Sequence, residues 1–194
     1  MVDSLVAGLG VVAVLLSAGS AVMFVRYRRR TRARRALADA LEARLADAMG
    51  PGTGTHLEQA PTVRRIAVVD ADSKGDGETE RPAFVPVIRI NLETTDAPGM
   101  KLIFEYVADA LETVHPELEA RKERVHRYDV EFTFGPGGLL VDGECRRVSV
   151  TPELATQLLE EEGFGAFELR RAIERADRDA DGDGDTPTTL WVEC

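Results

Sequence analysis

Asp177-x-Asp179-x-Asp181-Gly182 puts carboxylates at positions 1, 3 and 5 and a glycine at 6, directly after an expected helix. That spacing gathers oxygen ligands around one calcium ion and lets the chain turn sharply. The second half of such a loop does not follow. Gly184 stands at position 8, and Thr188 stands at position 12, where a bidentate Glu closes the coordination shell. Asp70, Asp72, Asp76 and Glu78 form a second acid-rich stretch, but Arg81 occupies the place of the last ligand. Both stretches are expected to be solvated acidic segments.

Asp129 and Glu144-Cys145-Arg146 fall on two consecutive expected strands. This arrangement is similar to the carboxylate pattern of PD-(D/E)xK nucleases. The resemblance implies a divalent cation between two carboxylates and a lysine that positions the attacking water. Tyr128 stands where that pattern has Pro, and Arg146 where it has Lys. With Tyr128, Val130 and Phe132 turned inward, Asp129 and Glu131 are expected to face water.

The remaining reactive side chains form no constellation. His56, His115 and His126 are far apart and adjoin no cysteine, so zinc spacing is absent. Cys145 and Cys194 can reach each other in principle, but a reducing cytoplasm argues against a bridge. Gly135 to Gly138 lacks the Lys-Ser/Thr of a phosphate loop and reads as a hairpin turn. Catalytic, cofactor-binding and metal-ligating residues are therefore expected to be none, and cofactors none.

The elements that position these groups begin with an uncharged run from Ser4 to Val25. As a helix it would span about 33 Å, against a hydrocarbon core of about 30 Å. Arg26, Arg28, Arg29, Arg30, Arg32, Arg34 and Arg35 follow at once, whereas the other flank offers Asp3. The Lys/Arg excess stays on the cytoplasmic side, so the expected topology is N-terminus outside and residues 26–194 in the cytoplasm. Lipid contact is expected through residues 4–25 and the Arg26–Arg35 block. Ala13, Ser17 and Ala21 recur at four-residue spacing and could bring two such helices together.

Leu37, Leu41 and Leu45 mark a helix up to Gly50-Pro51-Gly52. Strands are expected at Val63–Asp70, Ala83–Glu93, Tyr128–Phe134 and Leu139–Val150. Pro86 suggests that the second of these is an edge strand or starts there. One helix is expected from an Asp96 cap to an end or kink at Pro116. Two more follow from Thr151 to about Glu162 and from Ala166 to Ala176. Thr189–Val192 reads as a terminal strand or a frayed tail.

The expected fold class is α+β. A single N-terminal transmembrane helix precedes a small two-layer domain with a mostly antiparallel sheet, in the order β-β-α-β-β-α-α. The expected boundaries are 1–25 for the anchor, 26–49 for an Arg-rich juxtamembrane helix, 50–61 for a linker, 62–176 for the domain and 177–194 for an acidic tail.

Charge narrows the function. Residues 1–50 carry 8 Arg against 4 acids, and residues 51–194 carry 16 basic against 30 acidic residues, net −14. Such a domain repels phosphate, so nucleic acid is not an expected partner. Few Lys and many Asp/Glu resemble the composition of halophilic proteins, in which concentrated salt screens self-repulsion. The leading expectation is a membrane-anchored binding or assembly module. It would use a protein partner or self-association, through the solvent side of the Tyr128–Val150 hairpin. The alternatives are a tethered metal-dependent hydrolase using Asp129 and Glu144, and a membrane-anchored sensor of a small ligand.

Overall fold

The computed structural model describes residues 28–29, 31–55, 57–69, 82–94, 96–135, 143–179 and 188–194. The expected span at 4–25 lies outside these residues. Among the described residues, no helix is long and apolar enough to cross a membrane.

The fold is α+β, with a five-stranded mixed sheet and four helices. Helix α1 covers residues 31–49. After it come β1 (Thr62–Val69), β2 (Ala83–Asn91), α2 (Met100–Ala120), β3 (Tyr128–Phe134), β4 (Glu144–Val150), α3 (Pro152–Glu160), α4 (Ala166–Asp179) and β5 (Thr189–Glu193). The strands lie in chain order, β1-β2-β3-β4-β5. Three of the pairings are antiparallel; β2 and β3 are parallel, with α2 as the crossover between them. A parallel pair needs such a crossover because a tight turn cannot reverse the chain twice.

One compact unit runs from Ala38 to Cys194, so it begins well before the expected boundary at residue 62. The leucine periodicity explains why. Leu41, Leu45 and Met49 are fully buried on one face of α1. Glu42 Oε1 accepts a hydrogen bond from the Val63 backbone N–H at 2.9 Å. Gly50 ends the helix, its N–H donating to the Ala46 carbonyl at 3.0 Å. A Cβ there would collide with that same carbonyl oxygen, so only glycine fits. The expected linker is also fastened, since the Tyr106 hydroxyl donates to the Thr55 carbonyl at 2.8 Å.

Pro86 does not mark an edge, because β2 lies between β1 and β3. The pairing with β3 starts one residue later, at Val87, so the missing N–H falls before that ladder. Pro116 does not stop α2 either. Leu118, beyond it, is fully buried and holds the last turn in place. Lys122 then takes φ 55°, and the N–H groups of Lys122 and Glu123 close on the carbonyls of Glu119 and Leu118. At the other end the cap is Gly99, not Asp96. The Thr151 cap forms as expected, its hydroxyl accepting from the Leu154 N–H at 3.4 Å.

The apolar side of the sheet carries Ile88, Ile90, Val130, Phe132, Phe134, Val148 and Val150, all buried. Trp191 of β5 stacks on Phe134 at 6.2 Å between ring centroids and lies 5.9 Å from Phe132. This packing makes Thr189–Glu193 a member of the sheet, not a frayed tail. Helix α2 meets the same side through a buried polar pair, His115 and Tyr128.

Candidate functional site: an arginine and carboxylate face on the sheet

The other side of β3 carries Asp129, Glu131 and Thr133. Cross-strand partners place Val87 and Arg89 of β2 beside Asp129 and Glu131, and Ser149, Arg147 and Cys145 of β4 opposite Asp129, Glu131 and Thr133. Opposed residues on paired strands share a face. A bulge between Val63 and Arg65 leaves Arg64 as the extra residue of β1, and its side chain reaches onto this face.

Asp129 and Glu131 do not face water as expected: they are 2% and 1% exposed. Arginines lie across them. Arg64 Nη1 donates to both oxygens of Glu131 at 3.0 Å, and Arg89 Nη2 donates to Oε2 at 2.8 Å. Asp129 Oδ1 accepts from Arg127 Nε at 3.0 Å and from the Ser149 hydroxyl at 2.7 Å. Arg147 Nη1 lies 3.9 Å from Asp129 Oδ2. A buried carboxylate must be paired and hydrogen-bonded to stay charged, and both are. Alternation correctly separated the two faces of β3. It carried no information about the long guanidinium arms that cover the second one.

The four arginines are only partly covered, with side chains from 24% exposed at Arg147 to 46% at Arg64. Four guanidinium charges over two carboxylates leave +2 in one patch of a chain whose net charge is −10. Arg64, Arg89, Arg127, Arg147 and Ser149 were not singled out from sequence. The available signal was their placement: Arg89 sits between the inward Ile88 and Ile90, Arg147 precedes the inward Val148, and Arg127 stands two residues before Asp129.

Cys145 and Cys194 are joined by a disulfide, with Cα atoms 5.5 Å apart. The expectation against this bridge rested on compartment. The register overrides it, because the Arg146–Glu193 pairing makes the two cysteines neighbours across β4 and β5. Glu131 and the two sulfurs lie within 4.8 Å of one another. The sulfurs are bonded to each other and the carboxylate is held by two guanidiniums, so the trio is filled by its own partners.

The nuclease-like pair is not brought together. Asp129 pairs with Ser149 and Glu144 with Phe134, five register steps apart and on opposite faces. Five steps are about 17 Å along a strand, too far for one cation to bridge. Arg146 pairs across from Phe132, on the apolar side. Of the calcium-like motif, Asp177 and Asp179 still belong to α4, while Asp181, Gly182 and Gly184 lie outside the described residues. So do Asp70, Asp72, Asp76, Glu78, Arg81 and His56.

His115 is the one buried histidine of the described residues, and its hydrogen bonds define its state. The Thr156 hydroxyl donates to the Pro152 carbonyl at 3.0 Å, so its oxygen accepts from His115 Nε2–H at 3.1 Å. Nδ1 then carries no proton and accepts from the Tyr128 hydroxyl at 2.6 Å. Burial lowers the His115 pKa below its ordinary value, against the opposing pull of Glu119 and Glu160. Burial likewise raises the Tyr128 phenol, with Glu119 adding to it. The pair is neutral and joins α2 to β3 and α3.

Compared with known proteins, the chain matches no family model, no curated protein and no solved structure.

Proposed function

We propose that the chain is a single-pass membrane protein, held by residues 4–25 with its N-terminus outside. Its unit from Ala38 to Cys194 works on the cytoplasmic side as a binding or assembly module. The anchor rests on the uncharged run and the arginine block after it. The binding role rests on one observation: two buried carboxylates hold four partly exposed arginines on a single sheet face. Charges ordered this way give an interface partner choice and register. The acid-rich composition supports work in concentrated salt.

The Cys145–Cys194 bridge opposes the cytoplasmic side, because cytosolic reductants open such pairs. Thiol alkylation in intact cells reads the side directly. Two labelled cysteines support the cytoplasm, and two protected ones place the unit in an oxidising compartment.

The binding role is tested by purifying the tagged full chain from native membranes and identifying what accompanies it by mass spectrometry. The same purification is made with Arg89→Glu and Arg147→Glu combined. A stoichiometric protein that accompanies the wild type and is lost from the variant supports the reading. Recovery of the chain alone in both cases overturns it.

A further inference from the structure

Arg147 is the least satisfied member of the arginine face. Its nearest carboxylate oxygen is 3.9 Å away, beyond hydrogen-bonding distance, and its buried Nε has no partner among the described residues. The buried Nε of Arg89 is in the same condition. Four guanidiniums bring about twenty N–H donors, against about eight lone pairs on two carboxylates. One of those lone pairs already accepts from Ser149. Arg65 adds a further exposed guanidinium, since it stands across from Val87 on the same face.

We propose that this face docks an acidic peptide segment of a protein partner, whose carboxylates take the outward N–H groups of Arg64, Arg89, Arg127 and Arg147. The proposal rests on the binding reading above and gives it a chemistry. The face already shows guanidinium–carboxylate pairing, with Arg64 Nη1 shared between the two oxygens of Glu131 and Arg89 Nη2 donating to one of them. Asp129 and Glu131 act as positioning residues. They hold the guanidiniums of Arg64, Arg89 and Arg127 in one geometry, so less side-chain freedom is lost when a ligand arrives. Length of the ligand matters as well. The patch crosses β1 to β4, roughly 15 Å at the usual strand spacing. Beyond it the ligand meets a surface of net −14 for residues 51–194. A short acidic segment stays within the patch. An extended polyanion such as nucleic acid runs off it and is repelled.

The test uses the full chain in non-ionic detergent and a fluorescein-labelled peptide of four glutamates, about 14 Å when extended and so within the patch, followed by fluorescence anisotropy in KCl from 0.15 M upward. Expected is saturable binding that weakens with salt and falls about tenfold in Arg147→Gln, the usual scale for one charge-assisted hydrogen-bond partner. Arg147→Lys, which keeps charge but loses the fork, falls between. Arg175→Gln on α4, away from the face, leaves affinity unchanged. If Arg147→Gln lacks the wild-type circular dichroism, Arg65→Gln at the rim replaces it, with a fall of about threefold expected. Absence of peptide binding, or equal affinity in the face variants, overturns the proposal. So does tighter binding, through the same residues, of a single-stranded oligonucleotide or of phosphatidylglycerol added to the detergent micelles. If the peptide fails while a partner is still lost from the Arg89→Glu/Arg147→Glu chain, the binding reading stands and only its acidic chemistry falls. If both fail, the reading falls with it.

Discussion

The two sides of strand β3 are buried to the same degree by opposite chemistry. On one, Tyr128, Val130, Phe132 and Phe134 meet apolar strands, Trp191 and helix α2. On the other, Asp129 and Glu131 are shut in by Arg64, Arg89, Arg127 and Arg147. The first side excludes water with atoms that never wanted it. The second excludes water from its centre while its arginine rim stays wet. The contrast separates what holds the fold from what can meet a partner. Burial alone does not make that distinction; the identity of the covering groups does.

The contrast breaks most sharply on the apolar side. Phe132→Ala should lower unfolding free energy by about 3–5 kcal/mol, because a fully buried aromatic leaves a cavity beside Trp191. Denaturant titration of the full chain reads it. Opening the bridge comes next. Cys145 and Cys194 close a long loop across 49 positions, so reduction or Cys145→Ser should cost about 2–4 kcal/mol. Hydrogen exchange should then rise first in β5.

Glu131→Gln tests the polar side. Removing one partner of a buried ion pair costs about 3–5 kcal/mol when both are dry. Arg64 and Arg89 keep roughly half and a third of their exposure, so about 1–2 kcal/mol is expected here. A loss as large as that of Phe132→Ala would mean that this face carries the fold and is not spare for binding.

The smallest effect is a pH dependence at the seam between α2 and the apolar side. His115 titrates below its unfolded value of about 6.5 because it is buried. As pH falls, the unfolded chain takes up that proton first. The stability gained from neutral His115 is therefore whole above about pH 6.5 and is lost as pH drops through the lowered folded value. Protonation also gives Nδ1 a hydrogen and removes the acceptor of the Tyr128 hydroxyl. A His115→Gln chain should lose the slope in thermal midpoint across that window, leaving only what the carboxylates contribute.

Much of the fold was legible because it follows local rules. Alternation at Tyr128–Phe134, the Thr151 cap and the glycine stop after Met49 act within a few residues. The misses depend on contacts distant in sequence. Pro86 reads as an edge until β3 arrives, one position beyond it. Pro116 reads as a stop until Leu118 finds its pocket. Leu41 and Leu45 read as part of a juxtamembrane helix until they are buried in the unit that begins at Ala38. The candidate site was least legible, since its carboxylates and arginines come from β2, β3, β4, a bulge in β1 and the residue before β3. Strand alternation says which way Asp129 points, but not that Arg64 lies over its neighbour, 67 positions away.

The most direct measurement is the affinity of the full chain for the labelled tetraglutamate, wild type against Arg147→Gln, across a salt series. Expected is saturable, salt-sensitive binding that falls about tenfold in the variant while circular dichroism stays the same. Binding of equal strength in both chains, or none in either, would contradict the proposal.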